Sequence, residues 1–554
     1  MGAEREGKIL KIDLSEERWW VEELEGAVLE KFLGGRGLAV HILSKEAKGI
    51  DPLDPLNPLV IATGPLTGLM PGSDRVIVAA RSPLTGMYFD ESINSKFGAL
   101  LRRLGYDAMV ITGRASAPLY LLIDGGGVRL VKTYKLWGLS LISALRRLSE
   151  RYGHGAGILA IGPAGENLVR PSRIMGEALR WWGRGGLGAI FGSKRLKAVI
   201  ARPFKVAEVS EREGLSTAVK VGSSTFKAEG RLRFLEEFVR RNVLLCMNFR
   251  TPCKREGERL LYALRDSVIA RGGCEGCETP CIEAYKVDDA WIEGVDYLAM
   301  ATLGLNNLVW DCAEILRLLL ESLNLGLDPI SIGNASSWAI ELFERGIIDE
   351  EFTGGLKLAY GNPRLLERLL RLTAYRKAFG ALLAEGLARS SHIIGSPSQD
   401  YAVQLRGLEL PSLNPFKDHL MVLAFLVSTG DSDPEVWLSA GEVECDEPGV
   451  LASRFLKLKA RLNVYASLTL CPLLGLSLTR VSDLLGLPPS RLELTQEELL
   501  KSGINIEGKI SRLNSSVATK WASGYMSKRL RELAREHELN ILREASRIYS
   551  SLTD

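Results

Sequence analysis

The sequence predicts an α+β protein, with a sheet-rich N-terminal segment followed by a mainly helical remainder. Three observations carry this reading. Short β-branched runs punctuated by Gly and Pro fill residues 8 to about 202. From about Glu208 onward the pattern changes to long stretches with apolar residues every three or four positions. The chain has 554 residues, 46% apolar and 25% charged, enough to bury two or three cores.

Taken in order, the strand signals are Ile9–Ile12, Leu59–Ala62, Val76–Ala80, Met109–Ile111, Leu119–Ile123 and Ala198–Ile200, with helices over Ala27–Leu33 and Leu141–Arg151. Amphipathic helices follow over Glu229–Val243, Cys312–Leu325, Pro363–Leu372 and Met526–Ser550. No run approaches 18 uninterrupted apolar residues, and Ile315 to Leu327, broken by Arg317, Glu321 and Asn324, predicts an amphipathic helix rather than a membrane span. There is no repeat and no low-complexity tract.

Lys and Arg total 70 against 67 for Asp and Glu, a net charge of +3, so no global bias points to nucleic acid or membrane. Met1 to Ile9 carries Glu4, Arg5, Glu6 and Lys8 without the apolar run of a secretory leader, which predicts a cytoplasmic protein with reduced thiols. Eight cysteines in this length are too sparse for a disulfide framework.

Two groups of residues carry chemistry. Four glycine-rich stretches, Gly34–Gly37, Gly64–Gly68, Ser82–Gly86 and Gly183–Gly188, let backbone approach a ligand, and arginines in or near three of them suit phosphate. Each alone is ordinary turn chemistry; together they predict a phosphate-bearing cofactor on the sheet. Gly183–Gly188 spells G-x-G-x-x-G but follows Trp181 and Trp182 rather than a strand, and no P-loop occurs. The second group is Cys274, Cys277 and Cys281, a C-x2-C-x3-C run that can aim three thiolates at one iron-sulfur cube. A zinc site or unrelated core cysteines are the alternatives, and zinc would ordinarily bring a second knuckle or histidines.

These residues together resemble the aldehyde:ferredoxin oxidoreductase family of tungsten or molybdenum bis-pterin enzymes. The resemblance rests on Gly34-Gly35-Arg36-Gly37-Leu38, Gly64-Pro65-Leu66-Thr67-Gly68 with Pro71–Arg75, Ser82–Gly86, Gly105–Ala108, Gly185–Ala189 with Gly192-Ser193-Lys194, the cysteine run, Gly326–Ser331 with Gly333-Asn334, Leu383–Gly386 and Gly407–Pro411. It implies a mixed-sheet cofactor-base domain at 1–205, a helical domain with the cysteine run at 206–415 and a helical domain at 416–554. It also implies a fourth cluster ligand at Cys471, 471 − 281 = 190 residues beyond the third. The implied activity is oxidation of a small aldehyde to a carboxylic acid, with electrons passing through the 4Fe-4S cluster to ferredoxin. Arg75, Arg180, Trp181 and Asp328 are the implied cofactor-binding residues, with Asn94 at a magnesium ion bridging the pterin phosphates, Lys96 near phosphate and Asp296 as the catalytic acid. A homodimer is a common family arrangement.

The chain also departs from the family pattern. Leu323 and Ala466 stand where two pterin-gripping motifs begin with Asp, leaving buried pterin donors without those acceptors at about 1 to 3 kcal/mol each. The family's histidine near the metal is missing from Ser428–Pro434, where Asp431 and Asp433 are the replacement acids, and Leu298 replaces a second acid. A paralogue that keeps the cluster but binds pterin poorly, acting in electron transfer or as a binding protein, is the competing expectation. His419, although near the presumed cleft, reads as structural.

Overall fold

The computed structural model describes residues 6–47, 49–178, 183–202, 231–274, 277, 280–427, 447–486, 493–515, 526–534 and 536–553. Strands β1 (Gly7–Asp13), β2 (Arg18–Leu24), β3 (Leu59–Ala62), β4 (Arg75–Arg81), β5 (Tyr88–Asn94) and β6 (Ala108–Thr112) form one sheet in the order β2-β1-β6-β3-β4-β5. Strands β7 (Leu119–Asp124), β8 (Gly127–Lys132), β9 (Gly157–Ile161), β10 (Ile174–Gly176) and β11 (Leu196–Ala201) form a second in the order β10-β9-β11-β7-β8. Both sheets are mixed, as expected: β1 runs parallel to β6 and β11 parallel to β7, while the remaining ladders are antiparallel.

Side-chain alternation decides how the layers stack. Leu10, Ile61, Val76 and Val78 of the first sheet meet Leu121, Ile123, Leu159 and Val199 of the second in one core between the sheets. The alternate residues Ile9, Val60, Ile77 and Ala79 face helices α1 (Gly26–Phe32) and α2 (Gly35–Glu46). Tyr120, Leu122, Ile158 and Ile200 face a third core, which takes in the helix Leu141–Tyr152 and extends into the helical part. Apolar residues on both faces of these strands explain why the runs read as continuously hydrophobic.

The helical part includes α3 (Tyr297–Leu303), α4 (Pro329–Glu344), α5 (Pro448–Ser467) and α6 (Gln496–Ser515). Helices α5 and α6 pack side by side, with Asn463 donating to the Gly503 carbonyl at 3.1 Å and to Glu507 at 2.9 Å. Leu513 and Ile510 of α6 join the core under the first sheet, so the end of the chain folds back onto its beginning.

Four features differ from the sequence expectation. Gly34–Gly37 is no open loop but the start of α2. The helical part contains a three-stranded ribbon, β14 (Val268–Gly272), β15 (Ile282–Val287) and β16 (Ala290–Glu293), preceded by a short pair, β12 (Leu245–Cys246) and β13 (Thr251–Pro252). The helix expected over Met526–Ser550 is two helices, Lys528–Glu532 and Glu536–Thr553, the first anchored by Arg529 on Glu341 of α4. The thiols are not all reduced: Cys246 and Cys253 form a disulfide across the β12–β13 hairpin, with Cα atoms 5.9 Å apart. The tight turn between them, with Met247, Asn248 and Phe249 all at positive φ, brings the two cysteines face to face.

Candidate cofactor site

The cysteine run sits in the loop of a β-ribbon. Gly272 of β14 pairs with Ile282 of β15, so residues 273–281 connect the two strands and carry Cys274, Cys277 and Cys281. The turn is closed by the Cys277 amide, which donates to the Cys274 carbonyl at 2.9 Å. Cys471 arrives from the end of α5 and opens a single 3-10 turn, its amide donating to the Gly72 carbonyl at 2.7 Å. Cys281 and Cys471 share an apolar shell with Leu33, Leu66, Met70 and Leu474. All four thiols interact electrostatically, Cys281 with Cys274 and Cys277, and Cys471 with Cys274 and Cys281. Among the described residues, no three His, Cys, Asp or Glu side chains converge closely enough to hold one metal ion.

The end of the first sheet supplies hydrogen bonds to these sulfurs. Arg75 and Asn94 face each other in the β4–β5 ladder. Arg75 Nη2 donates to Cys471 Sγ at 3.3 Å, and Asn94 Nδ2 donates to Cys274 Sγ at 3.1 Å. Burial pushes the Cys471 thiol up to about 11, opposed by Arg75; burial also raises Cys281, opposed by Arg231. Arg231 is itself buried and feels Cys281, Cys471 and Asp296.

Two buried guanidinium groups, Arg75 and Arg231, lie beside the thiols, and buried cations are stabilised by charge of the opposite sign nearby. Thiolates bound to an iron-sulfur cluster would provide it. A donor set of four sulfurs without imidazole or carboxylate fits such a cluster.

Asp296 caps α3, its Oδ1 accepting from the Leu298 amide at 2.8 Å and the Ala299 amide at 3.4 Å. Burial raises its carboxyl, against the Leu298 amide, Arg173 and then the Ala299 amide and Arg231. Asp328 caps α4 through Oδ1, which accepts from the Ile330 amide at 3.0 Å. Its Oδ2 is taken by Arg184 Nε at 3.1 Å and the Ser331 hydroxyl at 2.5 Å. Ser331 Oγ also lies 2.7 Å from Glu409 Oε2, its single proton serving one of the two carboxyl groups, and Arg184 Nη2 donates to the Glu409 carbonyl at 2.9 Å. Arg36 is likewise committed, pairing with Asp90 at 3.0 Å and donating to Asn463 at 3.2 Å. The arginines of two glycine-rich stretches therefore hold acids of the protein.

Between these pairs lies Glu91 of β5, fully buried, with neither oxygen hydrogen-bonded among the described residues. Burial holds its carboxyl well up, with Arg173 opposing and Asp328 and Asp90 adding to the rise. An orphaned buried carboxyl fits a polar cofactor group lying against it.

Arg180 and Trp181, with Trp182, lie outside the described residues, as do Asp431 and Asp433. Lys96 is exposed and donates to the His154 carbonyl at 3.2 Å, away from the thiols. His419 is buried at the start of its helix. Sequence reasoning missed Glu91, Arg173 and Arg231. Glu91 shares a strand face with Phe89 and Ile93, and an acid on an apolar face was the available signal. Arg231 and Arg173 carry no such signal, because only tertiary packing brings them to the thiols and acids.

Family models account for nearly the whole chain. The aldehyde ferredoxin oxidoreductase N-terminal domain matches residues 9–203, and domains 2 and 3 of the same family match residues 217–535. A tungsten-containing aldehyde ferredoxin oxidoreductase of Pyrococcus furiosus is 32% identical over 431 residues, 74% of this chain and 70% of its own length. An aliphatic sulfonate oxidoreductase, WOR-like subunit, of the same organism is 30% identical over 482 residues, 77% of this chain and 74% of its own. The active-site complex BamBC of benzoyl coenzyme A reductase, solved with 1,5-dienoyl-CoA, superimposes with a TM-score of 0.84 at 19% identity, covering 99% of this chain and 94% of that one, which shows the shared fold. The class is that of oxidoreductases with a sheet base under a helical cover. Within it, the chain is a divergent member of the aldehyde ferredoxin oxidoreductase family.

Proposed function

We propose that this protein oxidises an aldehyde with water to a carboxylic acid at a tungsten or molybdenum bis-pterin centre. Two electrons leave through a 4Fe-4S cluster, one at a time, to ferredoxin, and two protons are released. The observation that carries this reading is the gathering of Cys471 with Cys274, Cys277 and Cys281 beside buried Arg75 and Arg231. When bound, the metal-pterin group supplies the two-electron oxidation and the cluster the one-electron relay. The chain's own residues hold charge and protons around them. Arg75 and Asn94 donate to the sulfurs that would hold the cluster, and Arg231 adds positive charge near Cys281 and Cys471. Asp296, raised by burial, takes and releases a proton beside Arg173 and Arg231. A bridging magnesium would draw on Asn94 Oδ1, since Nδ2 serves Cys274.

One observation favours the second reading, a cluster protein with impaired pterin binding. Leu323 is buried in the helical core and Ala466 packs against the core under the first sheet, so neither position presents an acceptor to a pterin. Elemental analysis of anaerobically purified protein, from cells grown with tungstate and molybdate, separates the two. About one tungsten or molybdenum with about four irons per chain supports the enzyme. Four irons with neither heavy metal supports the second reading, and stoichiometric zinc without iron overturns both. The substrate panel should pair aldehydes with an aliphatic sulfonate, the substrate named for one relative.

A further inference from the structure

We propose that the lysine-lined surface over Phe32, where α1, α2 and α6 meet, is the docking surface for an acidic electron-carrier protein. The inference rests on the redox reading above and adds the place where the carrier binds. Lys31 ends α1, Lys45 lies in the last turn of α2, and Lys509 lies on α6. Lys31 and Lys45 are exposed and Lys509 is half-buried. The Nζ atoms of Lys31 and Lys509 stand 5.8 and 5.0 Å from the centre of the Phe32 ring, which in turn packs on His41 at 4.8 Å.

Among the described residues, Lys31, Lys45 and Lys509 form no ion pair; Glu30 and Glu46 adjoin two of them in sequence, and Glu46 is taken by Lys11. Burial, then Lys45, Lys31 and Arg512, hold the Lys509 ammonium below its usual range. Beneath it, burial and then Lys45, Lys509 and Lys31 hold His41 down to about 4, so the imidazole stays neutral at physiological pH. Neither ring nitrogen has a hydrogen-bond partner among the described residues. Cations gathered from three helices are complementary to a negative surface, and such patches steer charged partners at long range.

The surface also lies near the proposed electron exit. Lys509 stands over Phe32, the residue before Leu33, and α6 packs on α5 where Asn463 meets Gly503 and Glu507. Helix α5 hands the chain to Cys471 four residues after its end. Leu33, two residues beyond Lys31, packs in the same apolar shell as Cys281 and Cys471. At each encounter one electron passes from the reduced cluster, which is oxidised, to the carrier, which is reduced; two encounters complete one aldehyde oxidation.

The test compares the holoenzyme with Lys31→Glu/Lys45→Glu/Lys509→Glu and with the corresponding triple Gln variant, using an acidic ferredoxin and benzyl viologen as alternative acceptors. The KM for ferredoxin should rise about tenfold or more on charge reversal and less on neutralisation, while the viologen rate stays unchanged. Raising salt should weaken ferredoxin use by the parent protein but scarcely affect the reversed variant. Binding of oxidised ferredoxin, followed by calorimetry, gives an answer independent of turnover. Equal ferredoxin affinity in parent and variants overturns the docking surface. Absence of viologen reduction in all proteins overturns the redox reading instead, and the calorimetry still decides whether the surface binds the carrier.

Discussion

At the scale of single residues, Arg75 and Asn94 show how little separates a cofactor contact from its loss. They are ladder partners, and each reaches a different cysteine from the same sheet end. The sequence offered both as candidates for the pterin and its cation, with no sign of the sulfur partners found, because a hydrogen bond to sulfur depends on register rather than on residue type. Asp296 allows a clean test, since Asn caps a helix about as well as Asp. Asp296→Asn should leave thermal stability and metal content unchanged while lowering aldehyde-dependent dye reduction at least ~10-fold. Unaltered turnover would remove this carboxyl from the reaction. His41 makes a pH prediction. Its folded value of about 4 lies below 6.5, so it contributes stability above pH 6.5 that is lost as pH falls through about 4. In His41→Leu the difference in melting temperature from the parent should shift in the variant's favour over that window; a constant difference would refute it.

At the scale of elements, the decisive contact is between α5 and the glycines of the first sheet's loops. A Cβ on Gly35, which has φ +34°, would lie 2.3 Å from the Ala466 carbonyl, and one on Gly64 would lie 2.5 Å from the Ser467 carbonyl. The sequence suggested that these glycines let a ligand approach; the close approach here is that of another stretch of backbone. Gly35→Ala should push α5 away, destabilise the protein by about 1 to 3 kcal/mol and lower the iron content by displacing Cys471, measured by thermal melts and iron assay. The cysteine ribbon was hidden for a different reason. Its strands are short and flank a glycine-rich loop, so helical periodicity on either side dominates the reading. The hairpin disulfide was lost to a general argument about sparse cysteines, although Cys246 and Cys253 are only seven residues apart. Replacing both with Ser should cost about 2 to 3 kcal/mol by the chain-entropy estimate, and two fewer cysteines should resist alkylation in the unfolded, unreduced protein.

At the scale of the whole molecule, the sequence revealed the order of sheet then helix because strand runs and amphipathic periods differ in kind. It did not reveal that the strands form two stacked sheets, since residues buried on both faces lose the alternation that reports a sheet's sides. The layered fold places the thiols where the first sheet's end, the ribbon and α5 meet, so the site belongs to no single segment. The tie between the Cys471 amide and Gly72 joins positions 471 − 72 = 399 residues apart. Seen as a matter of chronology, this closes the site late. On the ribosome the ribbon emerges with three sulfurs long before the fourth exists, and the loop bearing Gly72 waits longer still for its mate. A cluster of the kind proposed would meet an open corner until Cys471 has emerged and its amide has closed on Gly72.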